Sequence, residues 1–178
     1  MSAGVVDTSG SPEDTVLRDM GFDGFRPVAH LHHTSCLEVP VERGVYVVVR
    51  NSERSPEFLE RSAAGWFRQQ DPSVAIDALK DKWVEGAYVL YIGRARGPGV
   101  RSLLRQRVKR YIRFGMGKAV AHAGGRFIWQ LRDQMALRIA WLPAPDEDPT
   151  STEATMLNMF FLLHGKLPFA NLRQESDG

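Results

Sequence analysis

The sequence contains a single cysteine and has no long apolar run. One cysteine, Cys36, excludes a disulfide within the chain and favours a reducing compartment. The apolar stretch Leu157 to Leu163 is short and is interrupted by Asn158, whereas a membrane span needs roughly 20 consecutive apolar residues. Residues 1–10 carry neither a basic stretch nor an apolar core, so we expect no secretory signal. We therefore predict a cytoplasmic protein without membrane helices.

Acidic side chains are missing from a quarter of the chain. The 47 residues from Gly86 to Arg132 contain 11 arginines and lysines but no Asp or Glu, and the remaining 131 residues carry a net charge of −9. Cations collected on one part of a folded surface suit a polyanion such as nucleic acid. The alternative explanation is a solvated helix face whose counter-charges come from the acidic remainder.

The length and composition predict one globular domain with helices and strands in layers. The chain has 178 residues, of which 43% are apolar and 25% charged. Apolar periodicity, β-branched runs and turn residues predict an α/β fold of the layered α+β type. The predicted elements are a helix from Ser11 to Met20, strands over 44–50 and 87–93, a basic helix over 100–114, a hairpin of strands Phe127–Leu131 and Leu137–Leu142, and an apolar helix over 150–164.

We divide the chain into three parts. Residues 1–40 are predicted to form an N-terminal extension that is partly disordered, and residues 174–178 a disordered tail. The domain spans residues 41–173 and has an insert at about 51–86. The insert is too apolar for a linker, so we expect short helices and turns packed on the domain.

Six positions in this order resemble a known nuclease family. Gly44-Val45-Tyr46 and Tyr91-Ile92-Gly93, on the two predicted strands, resemble the halves of the GIY-YIG nuclease motif. The family pattern then has an arginine on a helix, a tyrosine or histidine four residues later, a glutamate on a second helix and an asparagine beyond it. These positions are matched by Arg107, Tyr111, Glu153 and Asn171.

The resemblance covers about Gly44 to Arg173, apart from the segment between the tripeptides. The stretches Gly124 to Leu131 and Leu167 to Asn171 are also similar to uncharacterised bacterial members. Typical members place the two tripeptides much closer together than here, where residues 47–90 separate them. The resemblance implies a small central sheet, mixed or antiparallel, that is flanked by helices.

Two arginines compete for the catalytic position, because the loop after Gly93 is longer than in typical members. Counting directly from Gly93 gives Arg101, whereas treating residues 98–103 as inserted gives Arg107. At about 100 degrees per residue, Arg107 and Tyr111 lie one helical turn apart on the same face. Arg101 has no aromatic partner at that spacing, so we choose Arg107.

The resemblance implies a metal-dependent endonuclease that hydrolyses DNA phosphodiester bonds. Glu153 would hold one hard divalent ion, Mg²⁺ or Mn²⁺, and Arg107 would bind the scissile phosphate. Tyr46 would orient or deprotonate the attacking water, with Tyr91 and Tyr111 hydrogen-bonded nearby and Asn171 as a polar buttress. A free tyrosine is only ~0.1% ionised at pH 7, so Tyr46 must either be stabilised as phenolate by arginines or act as a hydrogen-bond relay.

Other cations of the basic stretch are predicted to contact the nucleic acid. They are Arg94, Arg96, Arg101, Arg105, Lys109, Arg110, Arg113 and Lys118. DNA is the expected partner, and no membrane or small-molecule cofactor is expected. An RNA nuclease and an inactive nucleic-acid-binding module are the alternatives, because phosphate contacts alone do not distinguish them. A protein partner or a homodimer is also compatible with the sequence.

Single residues also have simpler explanations. Glu153 stands three residues after Thr150, which is the spacing of a helix capping box. His30, His32, His33 and Cys36 have the residue types for zinc, but their spacing matches no familiar closed site, so an exposed strand or loop is favoured. Trp129 and Trp141 are predicted to lie in the core.

Overall fold

The structure, a computed structural model, describes residues 10–99, 102–120 and 124–172. The elements in chain order are α1 (Pro12–Asp19), β1 (Asp23–Pro27), α2 (Val28–His33), β2 (Gly44–Val49), α3 (Ile76–Lys82), β3 (Val89–Ala95), α4 (Leu104–Gly115), 3-10 helices at Arg126–Gln130 and Gln134–Ala136, β4 (Arg138–Pro143) and α5 (Pro149–His164). This mixture of helices and sheet confirms the predicted α+β class. In the described part of the chain, no helix is long and apolar enough to cross a membrane.

The four strands form one antiparallel sheet in the order β1-β4-β2-β3. Every residue of β2 is buried, as expected for a central strand. Because side chains alternate along a strand, Tyr46 and Val48 join one apolar cluster while Val45 and Val47 join another. The first cluster includes residues of α4, and the second includes residues of α1 and α5. The sheet therefore lies between two helical layers.

The segment before residue 41 contributes to this sheet. The Ser11 hydroxyl accepts a hydrogen bond from the Asp14 backbone N–H and caps α1, which confirms the predicted short helix. β1, which was not predicted, pairs with β4. Its sequence contains Asp23, Gly24 and Pro27, residue types that are depleted in strands, so composition gave no signal for it.

Asp14 fastens α1 to the sheet. Its carboxylate accepts two hydrogen bonds from the Arg138 guanidinium, at 2.8 and 3.0 Å, and one from the Tyr88 hydroxyl. Asp14 is only 2% exposed. We expect Asp14→Asn to lower the free energy of unfolding by about 3 kcal/mol, because a partly buried guanidinium loses its counter-charge. Urea unfolding measures this loss, and an unchanged midpoint would show that the ion pair contributes no net stability.

The insert between β2 and β3 packs on the domain as short turns and one helix, as predicted. Leu79 of α3 is fully buried. Phe58 and Trp83 pack against Phe169, which follows α5, at ring-centroid distances of 5.9 and 5.1 Å. Residues from both ends of the insert thus share one aromatic cluster with the C-terminal segment.

The prediction of a strand over Phe127–Leu131 was wrong, and so was the hairpin. Residues Arg126–Gln130 form a 3-10 helix that follows Gly125, whose φ of 70° is left-handed. Phe127, Ile128, Trp129 and Gln130 are all buried. Periodicity cannot separate a strand from a turn when a short run is buried on all sides. The second predicted strand, Leu137–Leu142, is confirmed as β4, and both Trp129 and Trp141 lie in the core.

Candidate active site

Three tyrosines from separate elements pack against one another. Tyr46 of β2, Tyr91 of β3 and Tyr111 of α4 have ring centroids 5.6 to 6.2 Å apart. Gly93 stands opposite Tyr46 in the β2–β3 register. A Cβ atom at Gly93 would lie 2.6 Å from Cζ of Tyr46, so only glycine leaves room for that ring. Gly93 of the second tripeptide and Tyr46 of the first therefore fit each other sterically across β2 and β3.

Burial keeps these three hydroxyls neutral. It raises the pKa of Tyr46 above its ordinary value, although the charge of Arg107 and the Tyr91 hydroxyl oppose the shift. It raises the pKa of Tyr91 and of Tyr111 well above the ordinary value. Tyr111 Oη donates a 2.8 Å hydrogen bond to the Gly125 carbonyl, whereas the buried Tyr46 Oη has no hydrogen-bond partner. Burial therefore disfavours a phenolate at all three positions.

This burial predicts how the protein responds to alkali. The folded pKa of each tyrosine exceeds the unfolded value of about 10, so stabilisation by the neutral phenols is complete below about pH 10 and is lost as the pH rises further. In a pH titration followed by tyrosinate absorbance and circular dichroism, we expect these three of the four tyrosines to ionise only as the chain unfolds. Four tyrosines ionising near pH 10 in the folded protein would contradict their burial.

Arg107 lies one helical turn before Tyr111 on α4, the placement expected from the spacing. Its side chain lines a surface cavity, and its Nε is buried without a hydrogen-bond partner. Its positive charge lowers the pKa of both Tyr46 and Tyr91 against the effect of burial, which reflects its proximity to those rings. Arg101, the competing arginine, lies outside the described residues.

Glu153 does not cap α5, so the capping-box explanation was wrong. The N-cap is Asp148, whose side chain accepts a 3.0 Å hydrogen bond from the Thr150 N–H. A capping box needs the glutamate at the third helical position, and Glu153 comes later. Its carboxylate instead forms an ion pair with Arg94 of β3, and both side chains are nearly buried, at 11% and 13% exposed.

The cavity brings residues from four parts of the chain together. It has a volume of about 260 Å³. Its described lining residues are Tyr91, Arg94, Arg96, Gly97, Ser102, Arg107, Gly124 and Glu153. Tyr46, which has no exposed surface, lies behind Tyr91 rather than at the cavity wall. The lining therefore combines arginines, one carboxylate and one phenol, a set able to bind a phosphate group and a cation side by side.

Arg94 was predicted only as a nucleic-acid contact, and its pairing with Glu153 was missed. Strand alternation places the Arg94 side chain on the sheet face opposite to the one that Gly93 leaves open for Tyr46. α5 makes its main sheet contacts with β3, and this packing brings Glu153 to Arg94. The sequence alone does not show which helix covers that face.

Asn171 joins the segment after α5 to the backbone of β3. Its side-chain oxygen accepts a hydrogen bond from the Ile92 N–H, and its amide donates to the Ile92 carbonyl, both at 2.9 Å. The amide thus completes the hydrogen bonds of the β3 edge as a neighbouring strand would. Asn171 therefore supports the strand that carries Tyr91 and Arg94.

The residues predicted to contact nucleic acid have different surroundings in the structure. Arg96 and Arg94 line the cavity. Arg105 donates hydrogen bonds to the carbonyls of Val39 and Leu37, at 2.8 and 2.9 Å, and so fastens α4 to the loop before β2. This structural use differs from the predicted phosphate contact. Arg113 and Lys118 are exposed, whereas Lys109 and Arg110 are half-buried.

The histidine and cysteine group does not form a metal site. The three histidines lie on α2 rather than on a strand or loop, and the His30 ring pairs with Glu38. Burial raises the pKa of the Cys36 thiol to about 11, against the charges of Lys109 and Arg105, whereas zinc binds the thiolate. Among residues 10–99, 102–120 and 124–172, no group of three or more His, Cys, Asp or Glu side chains could hold a metal ion.

Comparisons with known proteins add no relative. No family model, curated protein or solved structure matches the chain.

Proposed function

We propose that the cavity hydrolyses phosphodiester bonds of DNA with the help of a hard divalent cation, as the GIY-YIG resemblance implies. The observation that carries the proposal is that Arg107 lines the same cavity as Tyr91 and Glu153. The planar fork of its guanidinium is suited to the oxygens of a phosphate.

Arg107 would bind the scissile phosphate and offset the negative charge that grows on its oxygens. Tyr91, which lines the cavity, would orient the attacking water, and Tyr46 would pack against the Tyr91 ring. As the water attacks phosphorus, the bond from phosphorus to the leaving sugar oxygen breaks; the water loses a proton to solvent, and the leaving oxygen takes one up from solvent. Positioning and electrostatics supply most of the rate enhancement in such a reaction.

Glu153 is the residue suited to a metal ion. Mg²⁺ is commonly held by one or two carboxylates together with waters and substrate phosphates, so one carboxylate at a polar cavity is a sufficient protein contribution. About 260 Å³ leaves room for several waters at about 30 Å³ each. When bound, Mg²⁺ or Mn²⁺ would stabilise charge on the phosphate and the leaving oxygen. A carboxylate has about four lone-pair sites, so pairing with Arg94 and binding a cation are compatible.

A nucleic-acid-binding module without turnover is the second candidate. The Arg94–Glu153 ion pair favours it, because that pair already neutralises the carboxylate that a cation would need. In such a protein the arginines of the cavity would bind phosphate without any cleavage.

The test uses the purified chain with end-labelled DNA and RNA duplexes of the same sequence. We expect DNA cleavage in Mg²⁺ or Mn²⁺ that stops when EDTA is added. DNA binding without cleavage in any divalent cation would favour the binding module, and cleavage of RNA alone would identify an RNA nuclease. Cleavage that continues in EDTA would contradict the metal requirement.

A further inference from the structure

Gly124 and Gly125 cover the hydroxyl ends of two of the clustered tyrosines. A Cβ atom at Gly124 would lie 2.6 Å from Tyr91 Oη, and one at Gly125 would lie 2.7 Å from Tyr111 Oη. Both separations are shorter than contacts that real Cβ atoms make. The two glycines open the stretch Gly124 to Leu131, to which the proposed chemistry assigns no role.

Hydrogen bonds hold this glycine turn in place. The Gly125 carbonyl accepts hydrogen bonds from Tyr111 Oη at 2.8 Å and from the Ile128 N–H at 3.2 Å. Further along the same stretch, the Trp129 carbonyl accepts a 2.9 Å hydrogen bond from the Ala63 N–H of the insert. The turn is therefore anchored both to the tyrosine cluster and to the insert.

Gln130 makes the strongest connection to the insert. Its side-chain oxygen accepts from the Val74 N–H at 3.0 Å, and its amide donates to the carbonyls of Val74 and Leu59 at 2.7 and 2.9 Å. Gln130 is 1% exposed, so these bonds are shielded from water. This network gives the insert a physical role as a brace for the stretch that begins at the glycine turn.

We propose that Gly124 is a positioning residue that sets where the Tyr91 hydroxyl stands in the cavity, with the insert bracing the turn through Gln130. The catalytic consequence rests on the proposed nuclease function, whereas the positioning itself does not. Gly124 has no left-handed φ, so alanine fits its backbone without strain. Because the turn is braced and the contacted atom ends a side chain, the Tyr91 hydroxyl is the group that moves when a methyl group is added.

The first measurement is the cleavage kinetics of Gly124→Ala. We expect kcat to fall at least about tenfold while KM for DNA changes less than about twofold, because a displaced hydroxyl affects orientation more than binding. Gly10→Ala is the matched control, since a Cβ there has no contact closer than 3.6 Å. It should cleave like the wild type. Wild-type kcat in Gly124→Ala would overturn the catalytic consequence.

The second measurement does not depend on activity. Tyr91→Phe removes the atom that the new methyl group would strike, and the next atom of the ring, Cζ, would lie at an ordinary 3.5 Å. We therefore expect Gly124→Ala to lower the melting temperature by a few degrees in the wild-type background, but not in the Tyr91→Phe background. Ring-labelled tyrosine NMR should show the Cζ resonance of Tyr91 displaced by Gly124→Ala.

The positioning role would be overturned if Gly124→Ala left the melting temperature unchanged, or lowered it equally in the wild-type and Tyr91→Phe backgrounds, and also left the Tyr91 resonance in place. A wild type that never cleaves DNA would instead contradict the nuclease function. The thermal cycle and the NMR spectrum would still decide whether Gly124 positions Tyr91.

Discussion

Glu153→Gln is expected to lower DNA cleavage by about a thousandfold or more, while DNA binding persists. Glutamine keeps the size of the side chain but removes the negative charge that a hard cation requires. The carboxylate now pairs with Arg94, so the substitution should also lower the free energy of unfolding by about 1–3 kcal/mol. Single-turnover cleavage across a Mg²⁺ titration, with binding and melting temperature from the same preparation, measures all three effects.

Glu147→Gln is the matched control for this substitution. Glu147 is exposed and lies just before α5, so its replacement changes the net charge equally but leaves the cavity intact. It should cleave at the wild-type rate. If the Glu153 variant cleaved as fast as this control, the metal site would have to lie elsewhere.

Arg107→Ala is expected to lower kcat about a hundredfold to a thousandfold with little loss of DNA affinity. Its guanidinium is proposed to act on the charge that develops in the transition state, and removing one such donor typically has an effect of this size. Arg107→Lys should restore only part of the rate, because an ammonium group lacks the planar fork. Cleavage at saturating DNA, together with equilibrium binding at several salt concentrations, separates the two contributions.

Arg113→Ala provides a comparison on the same helix. Arg113 is exposed, so its loss should weaken binding and reduce the salt slope by about one while the rate of bound complexes is unchanged. If Arg107→Ala instead weakened binding without changing the rate of bound complexes, and Arg113→Ala lowered kcat, the catalytic arginine would lie elsewhere. Arg101 would then be the next candidate.

The elements that the sequence predicted well are those whose burial matches a simple period. β2 and β3 are rich in β-branched and aromatic residues, and α4 has an apolar stripe at helical spacing, so burial and local preference agree there. Two elements were not predicted, for opposite reasons. β1 is an edge strand whose residues have low strand propensity, so only pairing with β4 explains it. The 3-10 helix Arg126–Gln130 has strand-like residues, and its Trp129 packs closely against Gly115, a long-range contact that local periodicity does not reveal.

The described lining of the cavity includes three of the residues named from the sequence, Tyr91, Arg107 and Glu153, but their contacts were not predicted. Spacing on one helix was enough to choose Arg107, because Tyr111 lies on the same element. The Arg94–Glu153 ion pair joins a strand to a helix far along the chain, and the two hydrogen bonds of Asn171 to Ile92 depend on the path of the chain after α5. Local sequence carries little information about such distant contacts, so their partners had to come from the three-dimensional structure.

Cleavage of supercoiled plasmid DNA by the wild-type chain tests the central claim most directly. The protein is incubated with plasmid and Mg²⁺ beside the Glu153→Gln variant purified in the same way, which controls for contaminating nucleases. We predict that the wild type converts supercoiled DNA to nicked or linear forms, that EDTA stops the conversion, and that the variant leaves the plasmid intact. Equal conversion by both proteins, or none by the wild type in Mg²⁺ and Mn²⁺, would contradict the proposed nuclease site.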